Sequence, residues 1–253
     1  MNDYNPKTYW NAKAKSAKGD HIQASCGNNE YENQCMHQAQ LHALTTVVDQ
    51  RVDIKGKTIL DFGCGSGRWA EFFCSRGAIY TGVDISDEMI ELSKSRYPGM
   101  TFITLNDDEI PLETDSSDFV FSIAVIHHNR PPQQEEIFGE ISRILKPGGY
   151  LFLFEGLGTT QWEHMFPHAM REWIQMVEQY DFDCIMHRGY SYFVLCNLMN
   201  DVTRRLHIPG LSGWRPWRPK LLLKLDARLS PGFSHRLSSK YHDRGAMLFK
   251  HRG

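Results

Sequence analysis

A glycine-rich loop that directly follows a short apolar run constrains the fold of this chain most. Residues 58–68 read TILDFGCGSGR, so that Gly63, Gly65 and Gly67 alternate with other residues behind Asp61. The apolar run predicts a buried strand, and the glycines allow positive φ and close approach of the backbone to a ligand. Because the next residues have a helical pattern, we expect the exposed N–H groups at the helix start to face a ligand.

Strand and helix patterns alternate on both sides of this loop. Strands are predicted at 58–63, 78–86, 101–105, 118–126 and 150–156, and helices at 37–51, 67–77, 87–96 and 132–145. Beyond them, the pattern predicts a helix near 162–179, a mixed segment to about 206, a helix near 220–229 and a last strand at 245–251. The alternation predicts an α/β, Rossmann-like parallel sheet with helices on both faces. Ligands of such sheets bind at the carboxyl ends of the strands.

Composition and charge narrow the class of protein. The 253 residues are 41% hydrophobic with a net charge of -2, which disfavours a nucleic-acid partner for the chain as a whole. Residues 201–253, however, contain 12 Lys and Arg against 3 Asp and Glu. This excess indicates either an anionic acceptor or a solvated basic helix face.

Cysteine usage and hydropathy bear on the compartment. The chain has six cysteines and no C-x-x-C pair, which predicts reduced thiols and a cytoplasmic location. The first ten residues are polar and lack the apolar core of a secretory signal. No apolar stretch approaches the roughly 18–20 residues of a spanning helix, so we expect no transmembrane segment.

The spacing of the glycines separates the kinds of nucleotide that the loop could bind. A dinucleotide fingerprint, G-x-G-x-x-G, requires its third glycine where Arg68 or Ala70 stands, depending on whether it starts at Gly63 or Gly65. This mismatch disfavours a dehydrogenase. A P-loop is excluded, because no G-K-[ST] follows the glycines.

The run from Asp61 to Gly67 resembles the first motif of the class I S-adenosylmethionine-dependent methyltransferases, which share a seven-strand-type sheet. The resemblance implies S-adenosylmethionine as cofactor, with its methionine part on the loop backbone and its ribose hydroxyls on Asp84. A carboxylate suits that role because it is acceptor-only. By the same resemblance, Ile85 and Met89 would flank the adenine. The expected cofactor residues are Asp61, Gly63, Cys64, Gly65, Gly67, Asp84, Ile85, Met89, Asn106, Asp107, Asp108 and Ala124.

Further motifs of that family follow in order over about residues 57–155. After its third strand the family usually places an Asp and then a small residue, whereas this chain has Asn106 and Asp107. The contact to the adenine amino group can therefore shift by one residue. The segments Ala124–His128 and Arg143–Tyr150 resemble the fourth and fifth motifs.

Two adjacent histidines are the candidate catalytic residues. His127 and His128 are predicted to end the fourth strand, where the acceptor should approach. Imidazole titrates near neutrality and can act as a general base, but a histidine here can equally pack or bond to backbone. Glu155, at the end of the fifth strand, is expected to face the same crevice, where it either orients an acceptor or caps a loop.

The chain is predicted to be one elaborated domain. Its parts are an N-terminal lid or lead-in at 1–50, the cofactor-binding core at 51–156, and an acceptor-specificity insertion with terminal strand at 157–253. Tyr9, Trp10 and Tyr31 could form an aromatic lid or simply pack a lead-in helix.

These observations predict an enzyme that transfers a methyl group from S-adenosylmethionine to a small molecule, such as a sugar-containing or phosphate-bearing intermediate. An RNA methyltransferase and a non-catalytic scaffold of the same fold are the alternatives. The basic C-terminal segment favours the former, and the intact glycines with Asp84 disfavour the latter. No metal is predicted, because the His and Cys spacings fit no standard site. The methylated atom, the acceptor and the oligomeric state stay open.

Overall fold

Seven strands within the described part of the chain form a single sheet in the order β3-β2-β1-β4-β5-β7-β6. The computed structural model describes residues 4–16, 30–106, 109–160, 164–205, 220–229 and 242–253. The strands are β1 Thr58–Phe62, β2 Ile79–Asp84, β3 Thr101–Thr104, β4 Ser117–Ile123, β5 Leu145–Gly156, β6 Phe182–Tyr190 and β7 Arg244–His251. The helices are α1 Pro6–Ser16, α2 Glu30–Gln50, α3 Ala70–Cys74, α4 Asp87–Arg96, α5 Pro131–Ile144, α6 Met170–Glu178, α7 Val194–Arg205 and α8 Lys220–Leu229.

The predicted α/β fold class is confirmed. Strands β1 to β5 run parallel to one another. The last strand, β7, lies antiparallel between β5 and β6. As a result, the carboxyl ends of β1, β2, β4 and β5 meet at one edge of the sheet, and the first residue of β7 reaches that same edge.

Alternating side chains of the central strands pack on opposite faces of the sheet. In β4, Phe119 and Phe121 lie in the core on the side of α2 and α3, whereas Val120 lies in the core on the side of α5 and α6. In β5, Phe154 and Leu153 divide in the same way. All five side chains are fully buried, as expected for strands that are covered on both faces.

The C-terminal third differs from the pattern-based prediction. Helix α6 begins at Met170, not near residue 162. Pro167 lies within the predicted helix, where it removes a backbone donor and disfavours helical geometry in the residue before it. The following segment to about residue 206, for which the sequence pattern predicted no definite element, contains β6 and α7. Residues of β6 are alternately buried and exposed near the edge of the sheet, which gives a weaker apolar signal than the central strands.

Candidate cofactor and acceptor site

The glycine loop turns sharply between β1 and α3. Gly63, Gly65 and Gly67 have φ of 78°, 53° and 73°, a region that side chains strongly disfavour. The N–H groups of Gly63 and Cys64 donate to the carbonyl of Val83 at 2.8 and 2.9 Å. These bonds fasten the loop to the end of β2.

The three glycines differ in what surrounds them. A Cβ at Gly63 would overlap the side chain of Val125, and a Cβ at Gly67 would lie 2.9 Å from the ring of Phe102. A Cβ at Gly65 would meet nothing within 4 Å. Gly63 and Gly67 are therefore required by packing, whereas Gly65 faces open space in which a ligand can approach the backbone.

Asp84 lies at the end of β2 beside the loop. Its carboxylate accepts the N–H of Gly65 at 2.9 Å and the N–H of Ser86 at 2.8 Å, one on each oxygen. Burial raises its pKa, and these N–H groups offset part of that effect. A carboxylate has about four lone-pair sites, so two remain to accept hydroxyl donors such as those of a ribose.

Three side chains beneath the loop have different surroundings. The buried Asp61 carboxylate accepts the hydroxyl of Tyr80 at 2.6 Å, and burial raises its pKa to about 7. The side chain of Cys64 is buried against Gly82, where a Cβ on that glycine would lie 2.9 Å from the Cys64 Sγ. Only the backbone of Cys64 is therefore available to a ligand at the loop. The buried hydroxyl of Ser66 has no hydrogen-bond partner among the described residues and is available to a ligand.

The remaining expected cofactor residues lie around the start of α4 and the end of β3. Ile85 is half-buried and Met89 is buried. Asn106 is exposed just beyond β3. Asp107 and Asp108 lie outside the described residues.

A strained turn follows β4. Ala124 has a φ of 61°, which costs an L-residue about 1–2 kcal/mol. The turn is held by Glu155, whose carboxylate accepts the N–H groups of Val125, Ile126 and His127 at 3.2, 3.1 and 3.3 Å. Glu155 is fully buried. Of the two roles expected for Glu155, its contacts fit the capping of a loop, because its oxygens are turned inward to the backbone of this turn and not toward the crevice.

His127 is fixed inside the protein. Strand β4 ends at Ile123, three residues before the predicted end, and the two histidines lie on a 3₁₀ turn, Ile126–His128. His127 is 2% exposed, and its Nδ1 contacts the carboxylate of Glu155. Burial lowers the pKa of His127 to about 3 and raises the pKa of Glu155 to about 7. This ring supports the turn and is too enclosed to reach an acceptor.

His128 is half-buried and has a defined tautomer. Its Nδ1 lies 2.7 Å from the carbonyl of His164. Because a carbonyl only accepts, Nδ1 carries the proton and Nε2 of the neutral ring is the acceptor. Burial, followed by the neighbouring His127, lowers the pKa of His128 to about 3. The ring is therefore neutral near pH 7, with one basic nitrogen.

Aromatic side chains of α1 cover this histidine. The ring of Trp10 meets His128 edge-on at 5.1 Å, and Tyr9 stacks on His164 at 4.9 Å. Tyr31 lies elsewhere, with the Nζ of Lys224 5.2 Å from its ring centre. Two of the three aromatics considered for a lid are thus at the candidate acceptor site, and the third packs beside α8.

A polar chain that sequence reasoning missed connects the loop to β7. Arg68 donates to Gln40 Oε1 at 2.5 Å and lies 3.3 Å from His37 Nδ1. Gln40 in turn donates to the hydroxyl of Tyr192 at 2.7 Å, and the guanidinium of Arg244 lies 4.7 Å from the Tyr192 ring centre. The sequence contains one sign of this chain, because Gln40 interrupts the apolar stripe of α2. In the structure Gln40 is fully buried.

Comparison with known proteins identifies the loop-bearing part of the chain. Residues 60–153 match the family model of a methyltransferase domain. The chain is 33% identical over 104 residues to the phthiotriol/phenolphthiotriol dimycocerosates methyltransferase of Mycobacterium tuberculosis. The matched residues cover 40% of this chain and 38% of that protein. It is 31% identical over 120 residues to the ubiquinone biosynthesis O-methyltransferase of Coxiella burnetii, covering 44% and 50%. The chain thus spans half or less of the length of these relatives.

The fold has a similar solved structure. The geranyl diphosphate C-methyltransferase of Streptomyces coelicolor A3(2), solved with Mg²⁺, geranyl diphosphate and S-adenosyl-L-homocysteine, has a TM-score of 0.65 at 14% identity, with 99% of both chains covered. Fold and loop together define a Rossmann-like protein of the methyltransferase type. More narrowly, residues 60–153 carry a methyltransferase domain. The predicted family is confirmed for that part of the chain.

Among the described residues, no helix is both long enough and apolar enough to cross a membrane.

Proposed function

We propose that this protein is an enzyme that transfers a methyl group from S-adenosylmethionine to a small-molecule acceptor. The observation that carries the proposal is the meeting of three groups at the carboxyl edge of the sheet. They are the partly unused carboxylate of Asp84, the open face of Gly65 and the neutral imidazole of His128.

The first two groups fit the cofactor. Asp84 would accept the two ribose hydroxyls with its remaining lone pairs, and the backbone at Gly65 would lie against the methionine part. Ile85 and Met89 would provide apolar surface for the adenine. When bound, the cofactor supplies an electrophilic methyl group on a sulfonium, so the protein has to align the acceptor and exclude water.

His128 would act on the acceptor. Because its pKa is lowered to about 3, its Nε2 would accept a hydrogen bond from an acceptor hydroxyl and take the proton only as the new O–CH₃ bond makes that hydroxyl strongly acidic. Its Nδ1–H keeps its bond to the His164 carbonyl and stabilises the imidazolium that forms. Glu155 and His127 would act indirectly, as positioning residues that hold the 3₁₀ turn on which His128 lies. Trp10 and Tyr9 cover the rings and would limit access of water.

Isothermal titration of the full chain with S-adenosylhomocysteine tests this proposal, with NADH as the control ligand. We expect micromolar binding of S-adenosylhomocysteine and none of NADH. Absence of both would favour a non-catalytic scaffold, and binding of NADH alone would favour a dehydrogenase. Acceptor screening by release of S-adenosylhomocysteine then follows, with RNA included as a competing acceptor class.

A further inference from the structure

The polar chain between the loop and β7 contains two guanidinium groups, of which Arg68 has no acidic partner among the described residues and Arg244 has one carboxylate at 3.8 Å. Arg68 contacts the amide of Gln40 and the imidazole of His37, and no carboxylate of the described residues lies within the 4.0 Å limit of an ion pair. His37 is neutral, because burial and then the charge of Arg68 lower its pKa to about 4. The half-buried Arg68 therefore keeps its charge among neutral groups.

Arg244 has one acidic partner but keeps an unpaired donor. Its Nη1 donates to the backbone carbonyl of Asp243 at 2.6 Å, and the carboxylate of Asp243 lies 3.8 Å away. Its Nε is buried and has no hydrogen-bond partner among the described residues. The side chain remains 20% exposed, so it can be reached from solvent.

Two buried acids act on these cations only through space. Asp61 is near enough to influence Arg68, but its carboxylate is engaged by Tyr80. Glu155 influences Arg244 in the same way, but its oxygens hold the turn after β4. Burying a cation without a direct counter-ion costs free energy. This applies in full to Arg68, whereas Arg244 has the 3.8 Å contact with Asp243 and retains an unpaired buried Nε. The arrangement therefore favours an anion that comes from outside the protein.

Tyr192 lies between the two guanidiniums and has a donor to spare. Its hydroxyl accepts from Gln40 at 2.7 Å, and no carbonyl or carboxylate of the described chain accepts its own proton. Tyr192 is 2% exposed and stacks on Phe154 of β5 at 6.0 Å, which fixes its ring. Its O–H adds a neutral donor to the two charged ones.

The chain of groups extends from the cofactor loop to the acceptor side of the sheet. Arg68 directly follows the last loop glycine. Arg244 is the first residue of β7 and pairs with Gly156, the last residue of β5, next to Glu155. An anion held by Arg244 and Tyr192 would thus lie near the histidine turn, where the proposed function places the acceptor.

We propose that Arg68 and Arg244, ordered by Gln40 and Tyr192, bind an anionic group of the acceptor, a phosphate, diphosphate or carboxylate. This inference rests on the proposed methyltransferase function. Planar guanidinium groups suit such oxyanions because they donate two parallel hydrogen bonds. The carboxylate of the cofactor is the other possible source of such an anion, and the experiment separates the two.

The test titrates inorganic pyrophosphate, and separately benzoate, into the full chain saturated with S-adenosylhomocysteine. Saturation occupies the site of the cofactor carboxylate, so any remaining anion site belongs to the acceptor. We expect at least one probe to bind, and Arg244→Gln to weaken it at least about tenfold, the effect of losing a charged hydrogen bond. Arg252→Gln is the matched control, because this 48% exposed arginine lies just beyond the other end of β7. It should leave the affinity unchanged.

Two further variants guard against a folding defect. Arg244→Lys retains the charge but loses the pair of parallel hydrogen-bond donors, and Tyr192→Phe removes one hydroxyl. Both variants should bind the probe more weakly while their circular dichroism stays native. The proposal is overturned if neither probe binds the saturated protein, if a probe competes with S-adenosylhomocysteine, or if the Arg244 and Arg252 variants bind alike. Failure of S-adenosylhomocysteine itself to bind would instead overturn the proposed function.

Discussion

The carboxylate of Asp84 has half of its hydrogen-bonding capacity in use, and this defines the first prediction. Asp84→Ala should weaken S-adenosylhomocysteine binding by about 1–3 kcal/mol, or roughly 5- to 150-fold, because buried ribose hydroxyls would lose their acceptor. Isothermal titration measures the change. Asp183→Ala, an exposed aspartate of β6, is the control. Equal affinities for all three proteins would remove Asp84 from the cofactor site.

The tautomer of His128 makes its proposed role separable from its structural one. His128→Asn leaves an N–H that can bond the His164 carbonyl but removes the basic Nε2. For an acceptor that needs a base, kcat should fall about 10²-fold or more, while the affinity for S-adenosylhomocysteine stays constant. His127→Asn should instead lower the melting temperature, since His127 is 2% exposed and tied to Glu155. A variant of His128 with full kcat would show that it only packs.

Asp61 should couple folding to pH. Burial raises its pKa from 3.8 to about 7 in the folded protein, so the folded state holds more protons than the unfolded state between these values. Its contribution to the free energy of unfolding is full below pH 3.8 and falls as pH rises to about 7, by about 1.4 kcal/mol per pKa unit.

Asp61→Asn isolates this contribution, because the amide oxygen can still accept the hydroxyl of Tyr80. Urea unfolding of both proteins between pH 4 and 8 gives the free energy of unfolding at each pH. That of the wild type should fall relative to that of the variant up to about pH 7, and the difference between the two should stay constant above it. Parallel curves throughout would mean that Asp61 ionises normally despite its burial.

At the scale of elements, α1 is attached to α4 by interactions of different kinds. Asn11 accepts the hydroxyl of Ser86, the N-cap of α4, at 2.7 Å. Lys15 pairs with Glu88 at 3.0 Å, but its side chain is 66% exposed. A partly buried hydrogen bond contributes about 1 kcal/mol, whereas an exposed ion pair contributes between about 0 and 1 kcal/mol.

We therefore expect Asn11→Ala to release α1 and Lys15→Ala to leave it in place. Hydrogen exchange of the amides in Pro6–Ser16 should become about fivefold faster in the first variant, which corresponds to about 1 kcal/mol of local opening. The second variant should exchange like the wild type. Equal rates in the two variants would show that the aromatic contacts of Tyr9 and Trp10, and not Asn11, hold the helix.

Predictability from sequence differed between elements for physical reasons. Strand β1 is a short apolar run and α4 carries a serine N-cap, so their positions were predicted closely. The apolar centres of β4 and β5 were also found, but β4 ends at Ile123 and β5 begins at Leu145, where Lys146, Pro147 and two glycines hide the strand from an apolar pattern. In β6, half-exposed residues dilute the pattern. At the site, the predicted strand ends correctly placed Asp84 and the two histidines at the carboxyl edge of the sheet. Which histidine is enclosed depends on the contact with Glu155, and no local sequence pattern shows that the Glu155 side chain points into the protein.

At the scale of the whole molecule, the site depends on a strand that is distant in sequence. Arg244 and Tyr192 reach the edge of the sheet because β7 inserts between β5 and β6. Hydrophobic periodicity predicts that a strand ends the chain, but it does not give that strand's place in the sheet. Pairing decides it here, with Leu151 of β5 opposite Phe249 of β7 in the middle of the register.

The insertion of β7 leads to the last prediction, which concerns whether 157–253 belongs to the same domain as the core. Met247, Leu248 and Phe249 are fully buried, and β7 pairs along its length with strands on both sides. Burial of each such side chain contributes about 1.5–3 kcal/mol, so removal of the strand would consume much of a typical stability of about 5–15 kcal/mol. Chains truncated before Arg244 should therefore lack a cooperative thermal transition, whereas Phe249→Ala should keep one at a cost of about 3–5 kcal/mol. Calorimetry of the two proteins decides the point: a cooperative transition in the truncated chain would mean that residues 51–156 fold as a separate domain.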